Sequence, residues 1–149
     1  MKDITTQFGA LTVGEDDGAI VRLSLGVSGR SDRSDILDAA VAQLAEYDSG
    51  TREVFDLPLR VNGSQVQQDV CTAMSQIHFG DTCTYGDIAK QLNIPAQVVG
   101  QACGGNPIPI IIPCHRVMGA KGLTGFSGAG GVETKVALLR HEGAGGFLI

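Results

Sequence analysis

This 149-residue chain has no tryptophan, few aromatic residues and no long apolar run. Its apolar stretches fall well short of the roughly 18 residues that a membrane-spanning helix requires, so no membrane partner is expected. The first residues, Met1 to Thr6, lack the apolar block of a secretory signal peptide, which favours a cytoplasmic protein. Hydrophobic residues still make up 43% of the sequence, enough for a core in one domain or two small ones.

Closely spaced metal ligands are also missing. The four cysteines lie 12, 20 and 11 residues apart without a CxxC pair, and the first 70 residues contain neither cysteine nor histidine. Structural zinc sites need clustered ligands, so no metal site is expected. A disulfide framework is not expected either, because nothing indicates export. Cys71 and Cys103 stand among apolar residues and are predicted to be buried thiols, whereas Cys83 receives no role.

Positive charge is scarce. The formal net charge is −5, and residues 1–70 carry 6 Lys/Arg against 12 Asp/Glu. Residues 71–149 carry 5 Lys/Arg against 4 Asp/Glu, a net charge of +1. Non-specific affinity for nucleic acid grows with the number of phosphates neutralised, so any nucleic-acid binding by this second half is expected to be modest and salt-sensitive.

The first 60 residues predict a small α+β domain without visible chemistry. Residues 9–13 and 19–25 are typical strands, and the turn residues 14–18 between them predict a hairpin. Apolar residues at helical spacing predict an amphipathic helix over about 34–47, capped by Ser34 or Asp35. Residues 55–59 then form a short strand or an extended connection.

From residue 61 onward the sequence is mostly helical in character. Helices are predicted over about 64–77, 84–92, 96–103 and 131–140. Thr84 is a suitable cap, and Pro95 suits the start of the third of these helices. Two short helices joined by a tight turn are the layout of a helix-turn-helix, although many helix pairs without a DNA-binding role look the same.

The most informative residues are Cys114 and His115, which follow the apolar run 108–112. That run predicts a strand that would hold the two side chains in place. A neighbouring imidazole can lower a cysteine pKa from ~8.5 by several units, and the thiolate is the nucleophilic form. The pair therefore favours a cysteine nucleophile that forms a thiolate near neutral pH.

The sequence around this pair resembles one protein family. The motifs are Gly105-Asn106-Pro107, the Pro113-to-Val117 segment PCHRV, and His141-Glu142-Gly143. Together they closely resemble the O6-alkylguanine-DNA alkyltransferases, the methylated-DNA–protein-cysteine methyltransferase family. The resemblance implies an α+β protein with a small N-terminal ribonuclease-H-like domain (1–60). It also implies a C-terminal domain (61–149) with a helix-turn-helix of the winged-helix type.

The same resemblance implies the activity and the partner. A member of this family transfers an alkyl group from O6 of guanine in flipped-out duplex DNA to its own cysteine, once and irreversibly, and without a cofactor. The reaction would be that of a single-turnover methyltransferase, with O4-alkylthymine as a further candidate substrate. The partner would be double-stranded DNA that contains O6-alkylguanine, and the protein would act as a monomer.

The resemblance also assigns roles to individual residues. It makes Cys114 the alkyl acceptor, His115 its base through a water molecule, and Glu142 the group that orients His115. It makes Asn106 the residue that holds the turn around the site. Substrate and DNA contacts would come from five further positions: Tyr85, Val117, Ser127, Gln97 and Arg116. Gln97 stands where many members carry an intercalating arginine.

Three other interpretations compete with alkyl transfer. A non-catalytic lesion-binding protein would share the family resemblance, but such proteins lack the cysteine. A cysteine hydrolase would need an oxyanion hole that no motif indicates, and it would turn over repeatedly. A helix-turn-helix regulator is disfavoured by the C-terminal motifs.

Overall fold

The computed structural model of the chain describes residues 1–119 and 132–144. The chain divides into two compact units, Met1–Val61 and Asn62–Ile149. No helix within the described ranges is long and apolar enough to cross a membrane.

The first unit contains a three-stranded antiparallel sheet in the order β1-β2-β3. The strands are β1 (Lys2–Thr6), β2 (Gly9–Asp16) and β3 (Ala19–Leu25). The predicted hairpin is confirmed, but its turn is only Asp17-Gly18. Both turn residues have positive φ (48° and 79°), as a tight Asp-Gly turn between twisted strands requires. Strand β2 therefore extends further than predicted, past a bulge at Gly14 and Glu15.

Helix α1 (Asp35–Asp48) packs on this sheet and closes the core of the first unit. The Ser34 side chain accepts a hydrogen bond from the Leu37 N–H, so the predicted cap is confirmed. The helix buries one apolar face against the inward side chains of β2 and β3. The buried residues of the helix and sheet are Leu37, Ala40, Leu44, Tyr47, Leu11, Val13, Ile20 and Leu23.

The second unit is mostly helical. Its helices are α2 (Gln65–Ser75), α3 (Tyr85–Leu92), α4 (Ala96–Gly104) and α5 (Val132–His141). Two short strands, β4 (Cys83–Thr84) and β5 (Val117–Met118), pair in parallel. The four predicted helices are thus confirmed, with ends that differ by at most two residues.

Helices α3 and α4 form the predicted helix pair. Thr84 and Asp87 make a reciprocal capping box that starts α3. Asn93 ends the helix in the left-handed conformation, with φ of 57°. Pro95 then stands directly before α4. Its missing N–H costs nothing there, because the first N–H groups of a helix have no partner within the helix.

The apolar run Ile108–Ile112 is a tight turn, so the strand predicted there is wrong. The N–H of Ile112 donates to the Ile108 carbonyl at 2.9 Å, which closes the chain on itself. Ile110 adopts a positive φ of 74°, a conformation that a β-branched residue takes only when packing imposes it. Pro109 has no N–H to donate to a sheet ladder, and its carbonyl accepts from the Ile111 N–H at 2.9 Å within the turn. Burial of the whole run explains its apolar composition.

Candidate active site around Cys114

Cys114 begins a short 3-10 turn, Cys114–Arg116, which leads directly into β5. The turn is buried: the exposed fraction is 5% at Cys114 and 0% at His115. All four cysteines are free thiols, and Cys71 and Cys103 are buried as predicted. The reactive pair is thus held by the core of the second unit rather than by a sheet edge.

Asn106 fixes the turn that leads to Cys114. Its Nδ2 donates to the Ile112 carbonyl at 2.9 Å, and its Oδ1 accepts from the Ile108 N–H at 3.0 Å. One buried side chain therefore ties both ends of the turn. Its side chain also hydrogen-bonds to the Cys114 thiol, which favours the thiolate. This geometry agrees with the role that the resemblance implies for Asn106.

The environment of Cys114 opposes a free thiolate in the resting protein. Burial raises the pKa of the Cys114 thiol from 9.0 to about 11. The hydrogen bond from Asn106 and the positive charge of Lys135 lower that pKa, but they do not outweigh desolvation. The thiol is therefore the favoured form of Cys114 in the resting site, and formation of the predicted thiolate depends on a base.

His115 is bonded to Glu142 at the end of α5. The distance between His115 Nε2 and Glu142 Oε2 is 2.7 Å, and both side chains are fully buried. Burial lowers the pKa of His115, while the hydrogen bond and charge of Glu142 raise it. The other ring nitrogen, Nδ1, is buried and has no hydrogen-bond partner among the described residues.

Arg116 is buried against Glu142, which corrects the DNA contact predicted for it. Its Nε donates to Glu142 Oε1 at 2.7 Å and its Nη2 donates to Oε2 at 3.0 Å. Its Nη1 donates to the Ile77 carbonyl at 2.6 Å, and the guanidinium lies 5.8 Å from the centre of the Phe79 ring. A guanidinium with these partners and 6% residue exposure cannot reach a phosphate.

Lys135 is a second buried cation, and sequence reasoning missed it. It lies on α5 with 1% exposure, and its Nζ donates to the Val117 carbonyl at 2.6 Å. Burial lowers the Lys135 pKa, and the thiols of Cys114 and Cys103 raise it. Its helical position offered one signal: Lys135 lies seven residues before Glu142, two turns along the same helix face.

The residues predicted to contact the base and the DNA lie on several elements. Tyr85 is half-buried at the first position of α3, and Gln97 is exposed in the first turn of α4. Val117 is buried in β5, and its carbonyl already accepts from Lys135. Ser127 lies outside the described residues. Four of the predicted site residues are buried: Asn106 is hydrogen-bonded beside Cys114, and Glu142 is bonded to His115, the residue that follows Cys114.

No group of three or more His, Cys, Asp or Glu side chains within 1–119 and 132–144 could hold a metal ion.

Residues 65–144 match the family model described as "6-O-methylguanine DNA methyltransferase, DNA binding domain". The chain belongs to this family.

Relatives of known identity extend the similarity. The methylated-DNA–protein-cysteine methyltransferase of Mycolicibacterium paratuberculosis is 46% identical over 106 residues, which cover 69% of this chain and 63% of that protein. The Methanosarcina acetivorans protein of the same name is 44% identical, over 70% of this chain and 68% of its own length. The aligned part thus covers about 63% of the length of the first mycobacterial relative.

Solved structures share the fold over nearly the whole chain. The crystal structure of Mycobacterium tuberculosis OGT in complex with DNA has a TM-score of 0.85 and 36% identity, and covers 99% of this chain and 96% of that one. The O6-methylguanine methyltransferase of the same organism has a TM-score of 0.84 and 38% identity, over 95% and 91%. The family's DNA-binding domain and the mixed α/β architecture are therefore shared along this chain.

Proposed function

We propose that this family member repairs DNA by transferring a methyl or other alkyl group from O6 of guanine to Cys114. The transfer is direct and irreversible, so each molecule acts once. The observation that carries the proposal is the buried series Cys114, His115 and Glu142, with the His115–Glu142 distance of 2.7 Å. The names of the relatives and the DNA complex of the mycobacterial protein support the same reaction.

The hydrogen bonds of Glu142 favour one nitrogen of His115, Nδ1, as the base. Glu142 accepts from both arms of the Arg116 guanidinium, which is the pairing of an ionised carboxylate. An ionised carboxylate only accepts, so the proton between the two side chains belongs to Nε2 of His115. The buried Nδ1 then carries the lone pair and is the atom that can take a proton.

The raised pKa of Cys114 makes this base necessary. Nδ1 of His115 takes the thiol proton, through a water molecule, and the resulting thiolate attacks the alkyl carbon on O6. The sulfur–carbon bond forms as the carbon–oxygen bond breaks, and the electron pair stays with the purine, which takes a proton from solvent at a ring nitrogen. Glu142 stabilises the imidazolium that forms. No cofactor takes part in these steps.

Access to O6 requires the base to leave the duplex. The helix pair α3–α4 is the proposed DNA-binding element, with Tyr85 against the flipped base and Gln97 at the gap in the stack. The carbonyl of Val117 and the N–H of Ser127 would read the base. The partner is double-stranded DNA with O6-alkylguanine, and we expect a monomer to bind it.

The proposal extends to the architecture. Residues 1–60 would form a ribonuclease-H-like structural domain, and residues 61–149 would form the alkyl-transfer domain with a winged helix-turn-helix. The three-stranded antiparallel sheet with its packed helix supports the first assignment, and the α3–α4 pair supports the second.

Intact-protein mass spectrometry after mixing with an oligonucleotide that carries one O6-methylguanine tests the proposal. The expected result is a gain of one methyl group per protein, mapped by peptide sequencing to Cys114. Repeated turnover without a stable adduct would indicate a hydrolase instead. Binding to the lesion without any mass gain would favour the non-catalytic lesion-binding protein. Oligonucleotides with O4-methylthymine or larger O6-alkyl groups would define the substrate range.

Gln97→Arg is predicted to tighten DNA binding. The exposed position in the first turn of α4 can accept a longer side chain, and each added phosphate contact makes the slope of log K against log salt steeper by about 0.9. Fluorescence anisotropy of labelled duplex DNA at several salt concentrations measures both effects. Gln68→Arg is the matched control, because it adds the same charge to an exposed position on α2, outside the helix pair. Equal gains in both variants would remove Gln97 from the DNA interface.

A further inference from the structure

No step of the proposed transfer uses Arg116, although this residue is bonded to Glu142, which orients the base. We propose that Arg116 is a positioning residue for alkyl transfer: its guanidinium neutralises Glu142 and thereby leaves His115 uncharged and able to accept the proton of Cys114. This proposal rests on the proposed function, and it assigns the charge balance of the buried site to one side chain.

The geometry of Glu142 shows which cation balances it. Two nitrogens of Arg116 bond to its two oxygens at 2.7 and 3.0 Å, in the forked arrangement that suits a guanidinium and a carboxylate. His115 contacts only Oε2, at 2.7 Å. The remaining arm of Arg116 is held by the Ile77 carbonyl at 2.6 Å. The carboxylate is thus clamped in one orientation by Arg116, with one oxygen shared with His115.

The other charges near His115 do not replace Arg116. The groups that act on the His115 charge are Glu142 and Lys135 on α5 or at its end, and Arg116 on its own turn. Lys135 donates to the Val117 carbonyl and acts on the thiols of Cys114 and Cys103. Arg116, by contrast, is joined to Glu142 by two hydrogen bonds. The arginine–glutamate pair is neutral as a unit and needs no proton on His115.

The charges around His115 agree with this geometry. Burial is the main cause of the lowered pKa of His115, and the positive charges of Arg116 and Lys135 lower it further. Glu142 acts in the opposite direction. If Arg116 loses its charge, one of the lowering influences disappears while Glu142 stays buried. The His115 pKa then rises, because a buried carboxylate without a cation binds a proton through its hydrogen-bonded neighbour.

The protein with the Arg116 guanidinium and the protein without it differ in where the thiol proton can go. In the wild-type protein the thiol proton moves to His115, so thiolate formation needs no exchange with solvent once His115 is neutral. Without the guanidinium, His115 already holds a proton near neutral pH and cannot take another. The thiol must then lose its proton to solvent. The imidazolium lowers the thiol pKa, but Glu142, His115 and the thiolate together would carry one net negative charge without Arg116, which raises that pKa. The thiolate fraction then rises about tenfold per pH unit below the thiol pKa. Arg116 therefore changes the pH dependence of the reaction as well as its rate.

Arg116→Met removes the charge and keeps an unbranched side chain of similar length. We expect transfer from O6-methylguanine DNA, measured by rapid quench in single turnover, to slow on the order of 100-fold at neutral pH. We also expect the rate to rise steeply with pH. Arg116→Lys keeps the charge without the fork, so its pH profile should follow that of the wild type at a reduced rate. Arg140→Met, which removes an exposed cation of α5, is the matched control and should change neither quantity.

The protonation of His115 is measured separately by nitrogen-15 NMR. The chain has only three histidines, so assignment through His78 and His141 variants is direct. The expected result is a neutral His115 at pH 7 in the wild type and Arg116→Lys, and a protonated His115 in Arg116→Met. A neutral His115 in Arg116→Met, or a pH profile unchanged from wild type, would overturn the proposal.

A double variant provides a second test in case Arg116→Met alone does not fold. Arg116→Met with Glu142→Gln removes both charges of the pair, which restores neutrality to the buried site. We expect His115 to be neutral again in this protein, and a protonated His115 there would contradict the proposal. The rate of Cys114 alkylation by iodoacetamide, measured against pH, reports the ionisation of the thiol without DNA. If the wild-type protein gained no methyl group, the proposed alkyl transfer would be refuted. The NMR and iodoacetamide measurements would still decide whether Arg116 keeps His115 uncharged.

Discussion

Cys114→Ser is expected to abolish the mass gain with O6-methylguanine DNA. A serine hydroxyl ionises far less readily than a thiol, and His115 cannot compensate because its own pKa is lowered by burial. The side chain remains nearly the same size, and its oxygen can still bond to Asn106, so the turn should keep its structure. DNA binding, measured by anisotropy, should therefore change little while transfer falls below detection.

Cys83→Ser is the matched control for this prediction. Cys83 is a half-buried thiol of the same unit, in β4, and burial raises its pKa to about 11 as well. It has no histidine–glutamate pair bonded beside it among the described residues, so its replacement should leave the methyl gain intact. Transfer that survived in Cys114→Ser, or disappeared in Cys83→Ser, would move the acceptor away from Cys114.

Glu142→Gln is expected to cause the largest loss of stability of any single substitution in the site. The change leaves the Arg116 guanidinium buried at 6% exposure without its anion. Removal of one partner of a buried ion pair typically lowers the free energy of unfolding by about 3–5 kcal/mol. The imidazolium formed during transfer also loses its counter-charge, so the transfer rate should fall together with stability. Urea unfolding and single-turnover kinetics measure the two effects.

Glu133→Gln provides the comparison, because it makes the same chemical change at an exposed position in the first turn of the same helix. A surface substitution of this kind usually changes stability by no more than about 0.5 kcal/mol. Equal effects of the two variants would mean that Glu142 contributes nothing beyond a surface charge. Rescue of Glu142→Gln stability by Arg116→Met would show directly that the two charges are coupled.

Local chemistry was enough to predict most elements of the fold. The caps at Ser34 and Thr84 depend on contacts three residues away, and the Asp17-Gly18 turn depends on two backbone angles. Such short-range patterns are visible in the sequence because the interacting groups are neighbours along it. Strand β1 was missed, since a five-residue strand without strict alternation is recognised only by its pairing with β2.

The alkyltransferase motifs likewise identified the family and named a candidate acceptor from residues close together in the sequence. They also named His115, Glu142 and Asn106, which are buried in the structure like Cys114. The sequence could not predict the shape of the 108–112 run. Its positive-φ turn at Ile110 is imposed by packing rather than by propensity.

The charges of the site were decided by tertiary structure alone. Arg116 and Glu142 are 26 residues apart, and Lys135 meets the Val117 carbonyl across 18 residues. From the sequence, the family resemblance suggested a DNA contact for Arg116, and Cys114 beside His115 suggested a thiolate near neutral pH. Desolvation reversed both expectations: it buried the arginine as a partner of Glu142 and raised the thiol pKa. The residue types determined which chemistry was available, and only the packed core decided where each proton and charge would reside.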